Sequence, residues 1–327
     1  MKKVICIGSA CKDIFFPTDE GTVINTPDDL TSQTKIGFEL GAKYKIENRF
    51  EAVGGCAANV ASGLSHLGIE ASCYSKIGDD FSGVWIQAEL KKNNVKLDLV
   101  EIEKGFQSDL SLIIVDKKSG DRVIFSNQKV NGILEIDENK IKDAEWIFIG
   151  DLHGEWEKHL DVIFGVTRAG GSRVAFNPRQ SNIHDNVAKI IAMLPFAEVV
   201  FLNKDEAIEI VQALGEMDNN NLNNEEFLIR KIKGLGMDVL VLTDGSNGAW
   251  GCADNDIIHV AAIKEEAVDS TGAGDAFASG FLAGYMGDNQ IEECLRWGIA
   301  NGGNAVKFYG GVEGLLSLEE LQKRIKN

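Results

Sequence analysis

Gly272-Ala273-Gly274-Asp275 is the stretch of this chain best suited to chemistry. Two glycines in three positions let the backbone approach a ligand with no Cβ in the way. They run into the alanine-rich segment Ala276-Phe277-Ala278-Ser279-Gly280, which reads as the start of a helix. The first N–H groups of a helix have no intrahelical partner and sit at the positive end of its dipole. Gly272, Ala273 and Gly274 would therefore line an anion hole. Asp275 falls in the first turn beside it. A phosphoryl group in the hole would face a hydroxyl held by Asp275, whose carboxylate can take the proton as the oxygen attacks. The N–H groups would stabilise charge on the transferred oxygens. A bare Gly-x-Gly-Asp is more often only a tight turn, so the wider context has to decide.

That context is Val268-Asp269-Ser270-Thr271-Gly272-Ala273-Gly274-Asp275-Ala276-Phe277. It closely resembles the C-terminal signature of the PfkB, or ribokinase-like, carbohydrate kinase family. The resemblance implies an α/β fold, a three-layer sandwich with a central mostly parallel sheet and a small β lid. It implies ATP-dependent transfer to a hydroxyl, with Asp275 as general base. Val53-Gly54-Gly55-Cys56-Ala57-Ala58-Asn59 looks like the family's N-terminal signature. By that likeness Gly54 and Gly55 let substrate approach the backbone, and Asn59 offers a donor and an acceptor to a hydroxyl. Asp13, placed after the first strand, is where the family has its substrate-binding aspartate.

Asn203-Lys204-Asp205-Glu206 matches the family's N-x-x-E element, which implies Mg²⁺ organised through Glu206 with Asn203 near the phosphates. The same residues also read as a helix start with a glutamate at the third position, and both readings can hold. Thr243-Asp244-Gly245-Ser246-Asn247-Gly248 resembles the T-x-G-x-x-G nucleotide loop, which implies Thr243, Gly245 and Gly248 near ATP. Asn301 stands where relatives often put a residue near the adenine. The Asp269–Thr271 turn and Gly310-Gly311 match places where some relatives bind a monovalent cation such as K⁺ through backbone carbonyls. Two departures stand out. The span from Asp13 to Gly54 is longer than in a plain ribokinase, which implies an enlarged lid. Asn177-Pro178-Arg179 replaces the usual Asp-Pro-Asn, leaving Arg179 either facing an anion or simply on the surface.

The elements that must position these residues are legible in outline. Val4–Gly8 is a short apolar strand. Ala57–Leu67 reads as a helix stopped by Gly68, followed by a strand at Ala71–Lys76 and a helix at Phe81–Lys92. From about residue 145, apolar strands at Trp146–Ile149, Val174–Phe176, Val199–Leu202 and Val239–Thr243 alternate with helical segments, the rhythm of a covered parallel sheet. Two helices follow at Ala276–Met286 and Ile291–Val306. Two stretches break the rhythm by alternating: Lys35–Ile46, and a hairpin of Leu112–Val115 with Arg122–Phe125 around Lys117-Lys118-Ser119-Gly120-Asp121. They predict a lid built from segments 14–51 and 97–127 of a single domain, 1–327.

The 327 residues carry a formal charge of −17, which disfavours nucleic acid or an anionic membrane as partner. The six cysteines form no C-x-x-C pair, the chain starts directly on a strand, and no run reaches the roughly 18 apolar residues of a membrane span, so a cytoplasmic protein is expected. There is no Walker P-loop, no protein-kinase His-Arg-Asp set and no clustered histidine of the kind a metal hydrolase needs. The acceptor is expected to be a sugar or sugar-like molecule. A nucleoside is the alternative, with Phe15, Phe16, Phe38 and Phe106 either stacking on a base or forming lid core. A silent ligand-binding regulator on the same fold would be expected to lose Asp275 or the glycines. An exposed lid edge makes a homodimer the expected assembly.

Overall fold

The structure, a computed structural model, describes residues 3–26 and 34–326. Strand β1 (Lys3–Ile7) puts Val4 and Cys6 into one core and Ile5 and Ile7 into the other. Both faces are covered, so the strand reads as a continuous apolar run. The chain then leaves the main sheet for β2 (Cys11–Thr18), β3 (Thr22–Asn25), β4 (Thr34–Gly37) and β5 (Phe50–Gly54). It returns through the helix Cys56–His66 to β6 (Glu70–Gly78) and, after the helix Phe81–Lys92, to β7 (Val100–Glu103). It leaves again for β8 (Leu110–Asp116) and β9 (Arg122–Asn127). The remaining strands are β10 (Trp146–Ile149), β11 (Arg173–Phe176), β12 (Val199–Asn203), β13 (Val239–Thr243), β14 (Ala249–Ala253) and β15 (Asp256–Val260).

The main sheet runs β15-β14-β13-β12-β11-β10-β1-β6-β7. Pairing is parallel from β13 to β7 and antiparallel at β14 and β15. Helices Cys56–His66, Ala273–Met286 and Ile291–Ala305 cover one face. Helices Trp156–Gly170, Lys204–Ala213 and Glu225–Lys233 cover the other. The order reverses where β1 separates β6 from β10. Ligands of open α/β sheets bind beyond the carboxyl ends of the strands at such a reversal. Gly8 and Ser9, after β1, and Gly150 and Asp151, after β10, stand there.

The lid is a separate sheet, β5-β2-β8-β9. Its inner face has a small core of Phe15, Ala52, Ile113 and Val115, with Tyr309 packed against it. The lid is pinned at its base by Asn131, whose amide donates to Ala10 O at 3.1 Å and to Asp109 at 2.8 Å and accepts from the Ser75 hydroxyl at 2.7 Å. At its tip, the Arg122 guanidinium and the Gly120 carbonyl both meet the Ser270 hydroxyl, one turn before the glycine-rich segment.

Three boundaries differ from the sequence expectation. β2 begins at Cys11, so Asp13 lies inside a lid strand and not in a turn beyond β1. β7 pairs with β6 in the main sheet, so the second lid segment starts near Leu110 instead of 97. The alternation over Lys35–Ile46 yields a strand only at Thr34–Gly37, paired with β3 in an outlying two-stranded ribbon. Residues 27–33 of the enlarged segment lie outside the described residues.

Candidate active site

Asp275 occupies the first turn of the helix Ala273–Met286, whose N-cap is Gly272 at φ 73°. That left-handed φ suits glycine, and a Cβ there would lie 2.3 Å from Gly311 Cα. Gly274 is different: a Cβ on it would meet nothing within 4 Å. It faces open space, and among the described residues neither its N–H nor that of Asp275 donates to another protein group, whereas Ala273 N donates to Ser270 O. The N–H groups of Gly274 and Asp275 are therefore free to meet a ligand, while Ala273 N holds the turn.

The helix Cys56–His66 brings the second set of residues. It packs on Ala273–Met286 so closely that a Cβ on Gly63 would lie 2.1 Å from Ser279 Oγ. Small residues at the crossing bring the two helix N-termini together. Asn59 Nδ2 donates to Asp275 Oδ2 at 2.8 Å. The carboxylate accepts there, so the amide orientation is fixed, and Asn59 Oδ1 is left buried with no partner. A buried acceptor without a donor costs about 1–3 kcal/mol. A substrate hydroxyl would supply that donor.

Asp13 reaches the same place from the lid. It is 4% exposed, and the Cys11 thiol donates to Oδ1 at 3.3 Å. The role of the glycine pair is more specific than the sequence implies. A Cβ on Gly54 would lie 2.0 Å from Asp13 Oδ2, and one on Gly55 would lie 2.5 Å from Ser9 O. Gly54 makes room for the Asp13 carboxylate, and Gly55, at φ 94°, lets the helix start against β1.

Burial pushes Asp275 from 3.8 up to about 6; the Asn59 amide and Cys56 thiol pull it down, and the charges of Asp151 and Asp13 push it further up. Burial likewise pushes Asp13 up to about 6, opposed by Ser111 and Cys11 and helped by Asp269 and Asp151. Asp151 is a functional candidate the sequence reading missed. Burial would raise it, but His153 and Ser9 outweigh burial and hold it below the usual carboxylate range. It accepts from Ser9 N at 3.0 Å and from the Ser9 hydroxyl. The available signal was the carboxylate directly after a fully apolar strand, in Ile147-Phe148-Ile149-Gly150-Asp151.

The remaining predicted residues line the sheet further along. Asn203 caps the helix Lys204–Ala213 in a complete capping box: Glu206 N donates to its side chain at 2.8 Å, and Asn203 N donates to Glu206 Oε2 at 2.9 Å. Glu206 is 7% exposed, and burial pushes it to about 8, with Asp205 and Glu209 adding to the rise and the Asn203 N–H opposing it. Thr243 ends β13, and Gly245 opens a short turn into open space. A Cβ on Gly248 would lie 2.2 Å from Val260 O, so that glycine serves the turn's own packing.

Asn301 requires a correction. It is fully buried; its amide donates to Ala276 O and Ser279 Oγ and its oxygen accepts from Leu316 N. It locks two helices and the following loop together, and we leave it out of the nucleotide site. Phe15 is lid core, in tilted contact with Tyr309, whereas Phe38 and Phe106 are exposed. Asp269 is wholly buried, accepting from Thr271 N, the Thr271 hydroxyl and Gly310 N, and it ties the two segments expected to hold a cation to each other. Among the described residues, no group of three or more His, Cys, Asp or Glu side chains is placed to hold a metal, and no helix is long and apolar enough to cross a membrane.

The model of the pfkB family of carbohydrate kinases matches residues 1–316. The cytidine kinase of Thermococcus kodakarensis is 31% identical over 268 residues, 79% of this chain and 88% of that protein. The ATP-dependent ribose-1-phosphate kinase of Halopiger xanaduensis is 26% identical, covering 84% of this chain and 87% of that one. The ribokinase of Cryptococcus neoformans var. grubii, solved in complex with ADP, superposes with a TM-score of 0.78 at 19% identity, covering 99% of this chain and all of that one.

Proposed function

The chain belongs to the pfkB family of carbohydrate kinases, and on that footing we propose that it transfers the γ-phosphoryl group of ATP to a hydroxyl of a sugar or sugar-like small molecule, with Asp275 as general base. The observation that carries the reading is the joined pair of helix N-termini. Asn59 fixes the Asp275 carboxylate from one helix while its own Oδ1 stays unpaired, and free N–H groups open beside Gly274. In this proposal Asp13 and Asn59 hold the acceptor, Asp275 takes the hydroxyl proton, and the free N–H groups of Gly274 and Asp275 receive the phosphoryl oxygens.

Thr243, Gly245 and Asn203 would border the nucleotide phosphates. Mg²⁺ fits the site in one way: a hard cation held mainly by phosphate oxygens and water needs only one or two carboxylates, and Glu206 offers one. When bound, the ion would neutralise phosphate charge. K⁺ held by the carbonyls around Asp269–Thr271 and Gly310-Gly311, a homodimer through the exposed β9 edge, and a cytoplasmic location, which the six free cysteines suit, are part of the same proposal. A nucleoside acceptor is the second reading, favoured by the likeness to a cytidine kinase and by the exposed rings of Phe38 and Phe106.

The test is ADP release from ATP and Mg²⁺ across a panel of pentoses, hexoses, sugar acids, sugar phosphates and nucleosides, with Asp275→Asn as control. Acceptor-dependent turnover that vanishes in the control supports the reading. Turnover that survives it removes Asp275 as the base.

A further inference from the structure

Arg179 sits at the carboxyl end of β11, one strand beyond Asp151, and is the N-cap of the helix Gln180–Met193. That helix has no side-chain cap and no acidic residue in its first turn. Its positive end is thus uncompensated by the protein. The guanidinium bends back toward β10 and the lid. Nη1 donates to His153 Nδ1 at 2.8 Å, and Nη2 donates to Gln128 Oε1, just after β9, at 2.9 Å. A guanidinium has five N–H donors. Two are engaged here, both by uncharged acceptors, and among the described residues no carboxylate lies within ion-pair distance of Arg179.

A second observation points the same way. Because Arg179 donates to Nδ1, the His153 ring proton sits on Nε2. His153 is only 8% exposed, and Nε2 has no hydrogen-bond partner. It points toward Asp151 Oδ2 at 3.4 Å without completing a bond. Asp151 is already bonded to the Ser9 amide and hydroxyl, and its charge reaches Arg179 only through space. The His153 N–H already faces the Asp151 carboxylate, so the unfilled donors are those of the Arg179 guanidinium, beside a helix N-terminus with no side-chain cap, in a chain of net charge −17. Burial works against the Arg179 charge, lowering its pKa. A partly buried cation with free donors is satisfied by an anion.

The cluster's position assigns the anion to the acceptor. Arg179 leans on β10 and the lid, the side of the site that holds Asp13, and away from β12 and β13, where the nucleotide would lie. From Arg179 the path runs through His153, Asp151 and Ser9 to Gly55 and the Asp13 carboxylate. We propose that the acceptor carries an anionic group, a phosphate or a carboxylate, that binds the free donors of Arg179, held in place by His153 and Gln128, at the end remote from the hydroxyl facing Asp275. This deepens the kinase reading and rests on it for the word acceptor. The asparagine-proline-arginine segment that replaces the family's usual triplet then acts as a specificity device.

The test separates binding from turnover. Calorimetry would measure ribose 1-phosphate against ribose, and gluconate against glucose, on protein saturated with AMP-PNP and Mg²⁺ so that the γ-phosphate hole is filled. At least one charged probe should bind about tenfold or more tighter than its neutral partner, the effect of a charge-assisted hydrogen bond. Arg179→Gln should abolish that ratio, Arg179→Lys should keep part of it, and AMP-PNP affinity should stay within about twofold in both, which also shows that the variants fold. A phosphate-only or carboxylate-only preference identifies which anion the site takes. Equal binding or no binding of charged probes by the wild type overturns the proposal. So does a ratio unchanged in Arg179→Gln, or a loss that falls on AMP-PNP instead. Whether the bound probe is then phosphorylated tests the kinase reading separately.

Discussion

Replacing Asp275 with asparagine should do two opposite things, and the structure gives a size for each. The Asp275 carboxylate stands beside the free N–H groups of its own helix turn, where it can take a proton. General base catalysis contributes about 10²–10⁴-fold, so acceptor-dependent kcat should fall by at least that range. ATP affinity should largely survive, because the backbone donors remain. Stability should move the other way. A carboxyl that titrates at about 6 instead of 3.8 costs the folded state about 3 kcal/mol at neutral pH, and solvent on the open side of the recess trims this to about 1–2 kcal/mol.

The sign can be checked against pH. The folded state holds this proton more tightly than the unfolded chain, so wild type loses stability as pH rises from 3.8 to about 6. The variant has no such group, and its advantage should be full above about pH 6 and vanish below about pH 4. Urea unfolding of both proteins at several pH values, alongside single-turnover kinetics, reads both effects. Activity within tenfold of wild type would refute the role of base. A variant less stable than wild type at pH 8 would refute the claim that burial holds this carboxylate at a cost.

Other perturbations test the surrounding parts. In wild type, kcat/KM should rise with pH through about 6 as Asp275 and Asp13 ionise, with an acid limb steeper than one proton because both titrate there; a limb centred near 4 in the pH–rate profile would show that neither is raised. Gly54→Ala puts a Cβ where Asp13 Oδ2 now lies, so the acceptor KM should rise by about tenfold or more with ATP KM unchanged; an unaltered acceptor KM would dismiss Asp13 as a binding group. Glu206→Gln keeps an acceptor for Asn203 N and removes a buried carboxyl pushed up to about 8, so at neutral pH the variant should be at least as stable as wild type while the Mg²⁺ concentration needed for half-maximal rate rises; an unchanged Mg²⁺ titration would leave Glu206 as a cap only. Asn131→Ala strips partners from Asp109, Ser75 and Ala10 O and should cost about 2–3 kcal/mol in denaturant titration.

The glycine-rich turn at 272–275 was legible because its chemistry is local: φ, free N–H groups and a carboxylate all fall within one helix start. The main strands were legible because burial on both faces leaves apolar runs such as Trp146–Ile149. The lid was harder. β7 and β8 have similar short, mixed patterns, and only pairing partners, distant in sequence, separate a main-sheet edge from a lid strand.

Of the site's third side only Arg179 stood out in the sequence, with its role left open between an anion and the surface, and the reason is physical. Asp151 and His153 are unremarkable in one dimension: an acid after a strand and a histidine in a loop. Their meaning comes from the reversal of strand order between β1 and β10, which sets Asp151 against Ser9 across 142 positions and leaves Arg179 facing His153 and not a carboxylate. A sequence reports which donors and acceptors exist; only the fold reports which are left without partners. Asn59 Oδ1 is one such atom, and Arg179, bonded to His153 and Gln128, keeps free donors as well. One asks for a donor and the other for an acceptor. A molecule with a hydroxyl at one end and an anionic group at the other would answer both.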